Sequence, residues 1–96
     1  MNLSGFDRVR WFIYFEVLGK TCRDEPKTID EIYVQAVKEG SKIGIDIEYT
    51  KLLEILKEFE NRNIVKIFKI NGKTYIDLTE KARYYLLTYA AALSNL

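Results

Sequence analysis

The chain has 96 residues, 48% of them hydrophobic and 30% charged, with 15 Lys and Arg against 14 Asp and Glu and no histidine. A chain of that size reads as one domain that buries somewhat more than roughly 60% of its unfolded surface, and its composition excludes disordered and fibrous classes. A formal net charge of +1 excludes a general pull toward nucleic acid or an anionic membrane, so any such attraction must come from local clustering.

The first helix is expected from about Asp7 to Leu18, with Ser4 or Asp7 near its start and Gly19 as a left-handed stop. Its apolar residues form two faces instead of one. Val9, Phe12, Ile13 and Val17 make the first, and Trp11, Tyr14, Phe15 and Leu18 the second. A helix apolar over most of its circumference needs a second surface to cover it.

Thr28-Ile-Asp-Glu31 has the spacing of a capping box, with Pro26 marking a break before it. The second helix is expected over 28–39, with Ile29, Ile32, Tyr33, Ala36 and Val37 inward and Gly40 at its end. A connector, 41–47, carries alternating Ile43, Ile45 and Ile47. Asp46 is the expected N-cap of the third helix, 47–61. In that helix Tyr49, Leu52, Leu53, Leu56 and Phe59 should face the core, leaving Thr50, Lys51, Glu54, Lys57, Glu58 and Asn61 outside.

Residues 64–78, IVKIFKINGKTYIDL, are two alternating runs joined by Asn71-Gly72, the strongest short hairpin signal because a type I′ turn needs positive φ at both central residues. The turn sets Phe68 opposite Tyr75, Ile67 opposite Ile76 and Lys66 opposite Asp77. An aromatic pair, an aliphatic pair and an ion pair result. Val65, Ile67, Ile76 and Leu78 share the core face, and Lys69 and Lys73 sit at the tip. Thr79 caps a last helix, 79–94, with Ala82, Tyr85, Leu86, Tyr89 and Leu93 on one side and Tyr84, Leu87, Ala91 and Ala92 on another.

The element order, with LLEILKEFENRNIVKIF at 52–68 and YIDLTEKARYYL at 75–86, resembles the winged helix-turn-helix family, in particular the small dimeric DNA-binding proteins of archaea and their viruses. Ala82 stands where the family usually has Gly. The resemblance implies a mainly helical α+β fold of three helices, a hairpin wing and a C-terminal helix. It implies that the N-terminal half of the third helix enters the major groove and the wing touches backbone or minor groove. By position, Tyr49, Thr50, Lys51 and Glu54 would reach base edges or nearby phosphates. Lys42 and Lys57 would contact phosphates, as would Lys69 and Lys73 flanking Asn71 and Gly72. The connector is a departure, at about seven residues against the three or four of a helix-turn-helix. So is the charge-balanced third helix.

A surplus of apolar surface on Trp11, Tyr14, Phe15 and Leu18, with Tyr84, Leu87 and Ala91, points to a symmetric homodimer. The alternative is that the first and last helices cover each other within one chain. The expected function is sequence-specific duplex-DNA binding by a homodimeric transcriptional regulator, and the rival is a winged-helix adaptor for protein contacts. Catalysis is not expected, since there is no histidine, no glycine-rich phosphate loop and no metal-ligand spacing. No cofactor, metal or small-molecule ligand is indicated. The longest apolar run, Trp11 to Phe15, is far short of the roughly 20 residues of a spanning helix, so a soluble, cytoplasmic protein is expected. Cys22, in the polar stretch TCRDE, reads as a free thiol or as one half of an intersubunit bridge.

Overall fold

The structure, a computed structural model, describes the backbone of residues 3–94 and the side chains of residues 3–89. Helix α1 opens at Asp7, whose carboxylate accepts the Arg10 N–H at 2.9 Å, so of the two expected starts, Ser4 and Asp7, it is Asp7 that caps the helix. It runs as an α-helix over Arg8–Trp11, a π-helix over Phe12–Leu18 and an α-helix over Gly19–Thr21. Gly19 is right-handed, at φ −62°, and donates to the Tyr14 carbonyl five residues back, so the expected stop at Gly19 is corrected. The helix winds on because its end is anchored. The Cys22 N–H bonds Leu18 O at 2.8 Å, and the Cys22 thiol reaches Ile76 O at 3.4 Å.

The π stretch also corrects the surface assigned to Tyr14 and Leu18. A turn closed after five residues instead of four lags each later side chain behind α-helical phase, so faces assigned at 3.6-residue spacing do not carry through. Tyr14 and Leu18 are fully buried. The Tyr14 hydroxyl donates to Ala82 O at 2.8 Å, and its ring meets Phe59 and Tyr85 at 6.4 and 6.3 Å between centroids.

Strand β1, Lys27–Thr28, is an element the sequence did not signal. It pairs antiparallel with the third strand, setting Thr28 opposite Tyr75. Thr28 then caps helix α2, Ile29–Ile43, by accepting the Glu31 N–H at 3.2 Å. The reciprocal half of the capping box is replaced, since the Thr28 hydroxyl donates to the Glu31 carboxylate at 3.1 Å.

Helix α2 runs through Gly40 and stops at Gly44, which takes the left-handed φ of 74°. Gly40 is a packing residue, not a stop: a Cβ there would run into the Ile45 carbonyl. The connector is therefore 44–48, shorter than expected and close to a helix-turn-helix turn. Ile45 and Ile47 are buried in it, whereas Ile43 closes α2 and is largely exposed. Helix α3, Tyr49–Asn61, has Glu48 and not Asp46 at its N-cap position, with no side-chain cap hydrogen bond.

Leu52, Ile55, Leu56 and Phe59 bury the inner face of α3. Tyr49, expected inward, is 38% exposed and sets its ring edge-on to Tyr33 at 5.2 Å. Strands β2, Val65–Ile70, and β3, Lys73–Leu78, pair in the register the turn dictates, with positive φ at Asn71 and Gly72. The sheet order is β1-β3-β2, with β3 in the middle and β1 and β2 at its edges. Thr79 caps helix α4, Glu80–Ser94, accepting the Ala82 N–H at 3.2 Å while donating to Asn63 O at 2.7 Å. Three helices, a hairpin with a short third strand and a closing helix make this an α+β, winged helix-turn-helix fold.

Because the Gly40 contact is backbone on backbone, Gly40→Ala should lose about 1–3 kcal/mol of stability in urea unfolding. The exposed Ser41→Ala neighbour should change far less.

Candidate nucleic-acid interface

The start of α3 and the wing are brought to one place by the fold. Tyr49 at the head of α3, Lys73 and Thr74 at the start of β3, and Thr28, Ile29, Asp30 and Glu31 at the start of α2 line a single cleft of about 380 Å³. β1 is what fixes this arrangement, since its pairing to β3 ties the wing to the N-terminus of α2. Thr50, Lys51, Glu54 and Lys57 are exposed along α3, Lys42 is exposed on α2, and Lys69, Asn71, Gly72 and Lys73 are exposed at the wing tip. Sequence reasoning missed Asp30 and Glu31 on the rim of this cleft, because a capping box explains acidic residues at a helix start without any further role.

The charges divide in a way the sequence did not disclose. On the helices each candidate lysine has an acidic neighbour: Lys51 with Glu54 at 3.7 Å, Lys57 with Glu60 at 3.1 Å, and Lys42 with Glu39 at 3.3 Å. Among the described residues, Lys66, Lys69 and Lys73 on the wing have no ion-pair partner. The pair expected between Lys66 and Asp77 is corrected, because Asp77 goes to Arg83 at 2.6 Å.

Glu58 is also corrected, from the outer to the inner side of α3. It receives the Arg10 guanidinium through Nε at 2.9 and 3.2 Å and Nη2 at 2.9 Å, and Arg62 lies 3.4 Å away. Hydrogen bonding from Arg10 holds the Glu58 carboxyl below the usual carboxylate range and raises the guanidinium in return. This bridge ties the far half of α3 to α1. One of the acidic groups that would have faced a nucleic-acid backbone is thereby turned inward. Glu39, nearly buried, joins α1 to α2 by accepting from Lys20 at 3.1 Å, Lys42 at 3.3 Å and Gln35 at 2.9 Å. The hydrogen bond from Lys20 leads in lowering its carboxyl.

Of the residues expected at a subunit interface, Tyr14 and Leu18 lie in the core. Trp11 and Phe15 are half-buried, and Tyr84 and Leu87 are 72% and 51% exposed. Trp11 stacks on Phe15 at 5.1 Å, and Phe15 meets Tyr89 at the same distance, so α1 and α4 partly cover each other. Ala91, Ala92 and Leu93 lie outside the described side chains. Cys22 stands in the bend that follows α1, the expected loop, as a free thiol; it is fully buried there, which sets it against the alternative of a bridge to another subunit. Burial pushes its thiol up to about 11. No helix of the described residues is long and apolar enough to cross a membrane.

No protein-family model matches the chain, and no curated protein matches it in sequence. Among solved structures it is similar to the reduced form of the transcriptional regulator YodB from B. subtilis, with a TM-score of 0.61 and 24% identity over 92% of this chain and 76% of that one. It is also similar to AF1382 from Archaeoglobus fulgidus, with a TM-score of 0.63 and 17% identity over 93% of this chain and 88% of that one.

The depressed Glu39 and Glu58 carboxyls have a measurable sign. A lowered folded value contributes stability that is present above the ordinary glutamate range, about 4.3, and is lost as pH falls through the folded value. Urea midpoints should therefore be level from neutral pH to about 5 and fall below about 4.3. Glu39→Gln should flatten that acid limb.

Proposed function

We propose that the chain binds duplex DNA in a sequence-specific manner as a homodimeric transcriptional regulator in the cytoplasm. The observation that carries this reading is the wing: an Asn-Gly hairpin whose tip lysine side chains, Lys69 and Lys73, have no intramolecular partner among the described residues, beside an exposed face of helix α3. The likeness of the fold to YodB, a transcriptional regulator, supports it. In this reading Tyr49, Thr50, Lys51 and Glu54 meet base edges, where a glutamate accepts from a cytosine amino group. Lys42 and Lys57 meet phosphates, and Lys69 and Lys73, with Asn71 and Gly72 between them, set the wing on the backbone.

The second reading, a winged helix that serves protein contacts in a replication or transcription assembly, is favoured by one observation. The lysines of α3 are paired with glutamates, and duplex binding rests largely on phosphate neutralisation. Salt dependence separates the two. Binding to mixed-sequence duplex should weaken with salt at a log-log slope of about −0.9 per phosphate contact, and replacing Lys69 and Lys73 together by Ala should reduce that slope by about two contacts. Absence of binding at low salt leaves the adaptor.

The proposed dimer surface is the exposed edge of α4, Tyr84 and Leu87, with Trp11 and Phe15 beside it; Ala91 is assigned to it from the sequence alone. Paired replacement of Tyr84 and Leu87 by Asp should convert the species seen by light scattering to a monomer of 11.3 kDa. A wild-type mass of 11.3 kDa at micromolar concentration would refute the dimer.

A further inference from the structure

The hairpin's ion pairing departs from its register. Lys66 and Asp77 are direct cross-strand partners, and such a position normally closes an ion pair. Here the Asp77 carboxylate accepts from Arg83 Nη2 at 2.6 Å and from the Leu78 N–H at 2.9 Å. Arg83 is itself locked by carbonyls, donating to Arg23 O at 3.0 Å, Cys22 O at 3.1 Å and Leu78 O at 3.4 Å. A guanidinium presents several donors in a fixed fork, so it holds one carboxylate and several carbonyls together, which an ammonium on a flexible stem does less well. Asp77 is drawn toward the junction of α1, β3 and α4. Lys66 is left exposed, with no partner among the described residues.

We propose that Lys66 is a third backbone-phosphate contact of the wing, and that Arg83 is a positioning residue that keeps it free by holding Asp77. The inference rests on the duplex-DNA reading above. Lys66 and Lys73 lie on the same outer face of the hairpin, since Lys73 pairs with Ile70 and Lys66 with Asp77. Along an antiparallel strand rising ~3.4 Å per residue they stand about 14 Å apart. That is far enough to neutralise separate phosphates, which succeed one another every ~3.4 Å of axis on each strand. Lys69 projects from the opposite face, so the three ammonium groups straddle the wing. A lysine already compensated by a glutamate, such as Lys51 or Lys57, brings less net positive charge to a phosphate and releases fewer counterions.

The test is fluorescence-anisotropy titration of a mixed-sequence duplex between 50 and 200 mM salt. Lys66→Ala should reduce the log-log slope by about 0.9, and Lys51→Ala by less. Arg83→Gln releases Asp77 onto Lys66, so it should reproduce the Lys66→Ala loss in the wild-type background and add nothing to it in the Lys66→Ala background. A wild-type protein that binds with a slope unchanged by Lys66→Ala overturns the contact while leaving the DNA reading intact. Equal losses from Arg83→Gln in both backgrounds overturn the positioning role. Failure of the wild type to bind at low salt overturns the DNA reading and this inference with it. Lys66 is exposed and unbonded, so its variant decides the matter even where Arg83→Gln does not fold.

Discussion

A helix that is apolar over most of its circumference has to be covered on every side, and the arrangement of this chain follows from how α1 is covered. Tyr14 supplies the tightest constraint. Its ring fills the space between α3 and α4, and its hydroxyl, sealed from water, has to find an acceptor, since a buried donor left unmade costs about 1–3 kcal/mol. It finds the Ala82 carbonyl in the first turns of α4. That bond fixes where α4 leaves the wing, while Cys22 at the other end of α1 rests on the Ile76 carbonyl of β3. Glu58 and Glu39 add polar ties from α1 to α3 and α2. Both ties are part-buried, and the bidentate arginine fork on Glu58 adds direction as well as energy.

With α1 as the hub, the wing and the head of α3 are carried by elements that cannot shift independently. β1 is only Lys27–Thr28, yet it joins the wing to the start of α2 and so sets the distance between the wing tip and Tyr49. The charges then partition by element. Helix α3 offers an exposed but electrostatically balanced face, whereas the wing offers uncompensated ammonium groups. On the proposed reading, nonspecific affinity would come mainly from the wing and discrimination mainly from the helix. Balanced charge on the helix suits readout by hydrogen-bond pattern, since it does not hold every sequence equally through the backbone.

The parts of this architecture legible beforehand share a feature: their cause lies within a few residues. Asn71-Gly72 imposed the full hairpin register. Asp7, Thr28 and Thr79 took up their caps because each hydroxyl or carboxylate meets an N–H about three residues on. Thr50, Lys51, Glu54 and Lys57 were legible as exposed positions from helical spacing, whereas Tyr49, assigned inward by the same count, is 38% exposed. The helix ends at Gly19 and Gly40 were misread because a glycine stops a helix only where it turns left-handed. Whether it does is decided by its surroundings: Gly19 lies against the Leu86 side chain of α4 inside a helix that winds on to an anchored Cys22, and Gly40 lies against the Ile45 carbonyl.

The sequence by itself therefore determined the wing, its turn, its caps and the alternation of its faces, all products of short-range backbone chemistry. Only the tertiary structure decided which apolar face of α1 was interior and which charges were left over. The π stretch rotated Tyr14 and Leu18 out of the phase that counting assigns. Long charged side chains chose among partners far apart in the chain, Arg10 for Glu58 and Arg83 for the carbonyls of Cys22 and Arg23 as well as for Asp77. A flexible side chain pairs with whatever the packed elements bring within reach, and that is a property of the assembled fold.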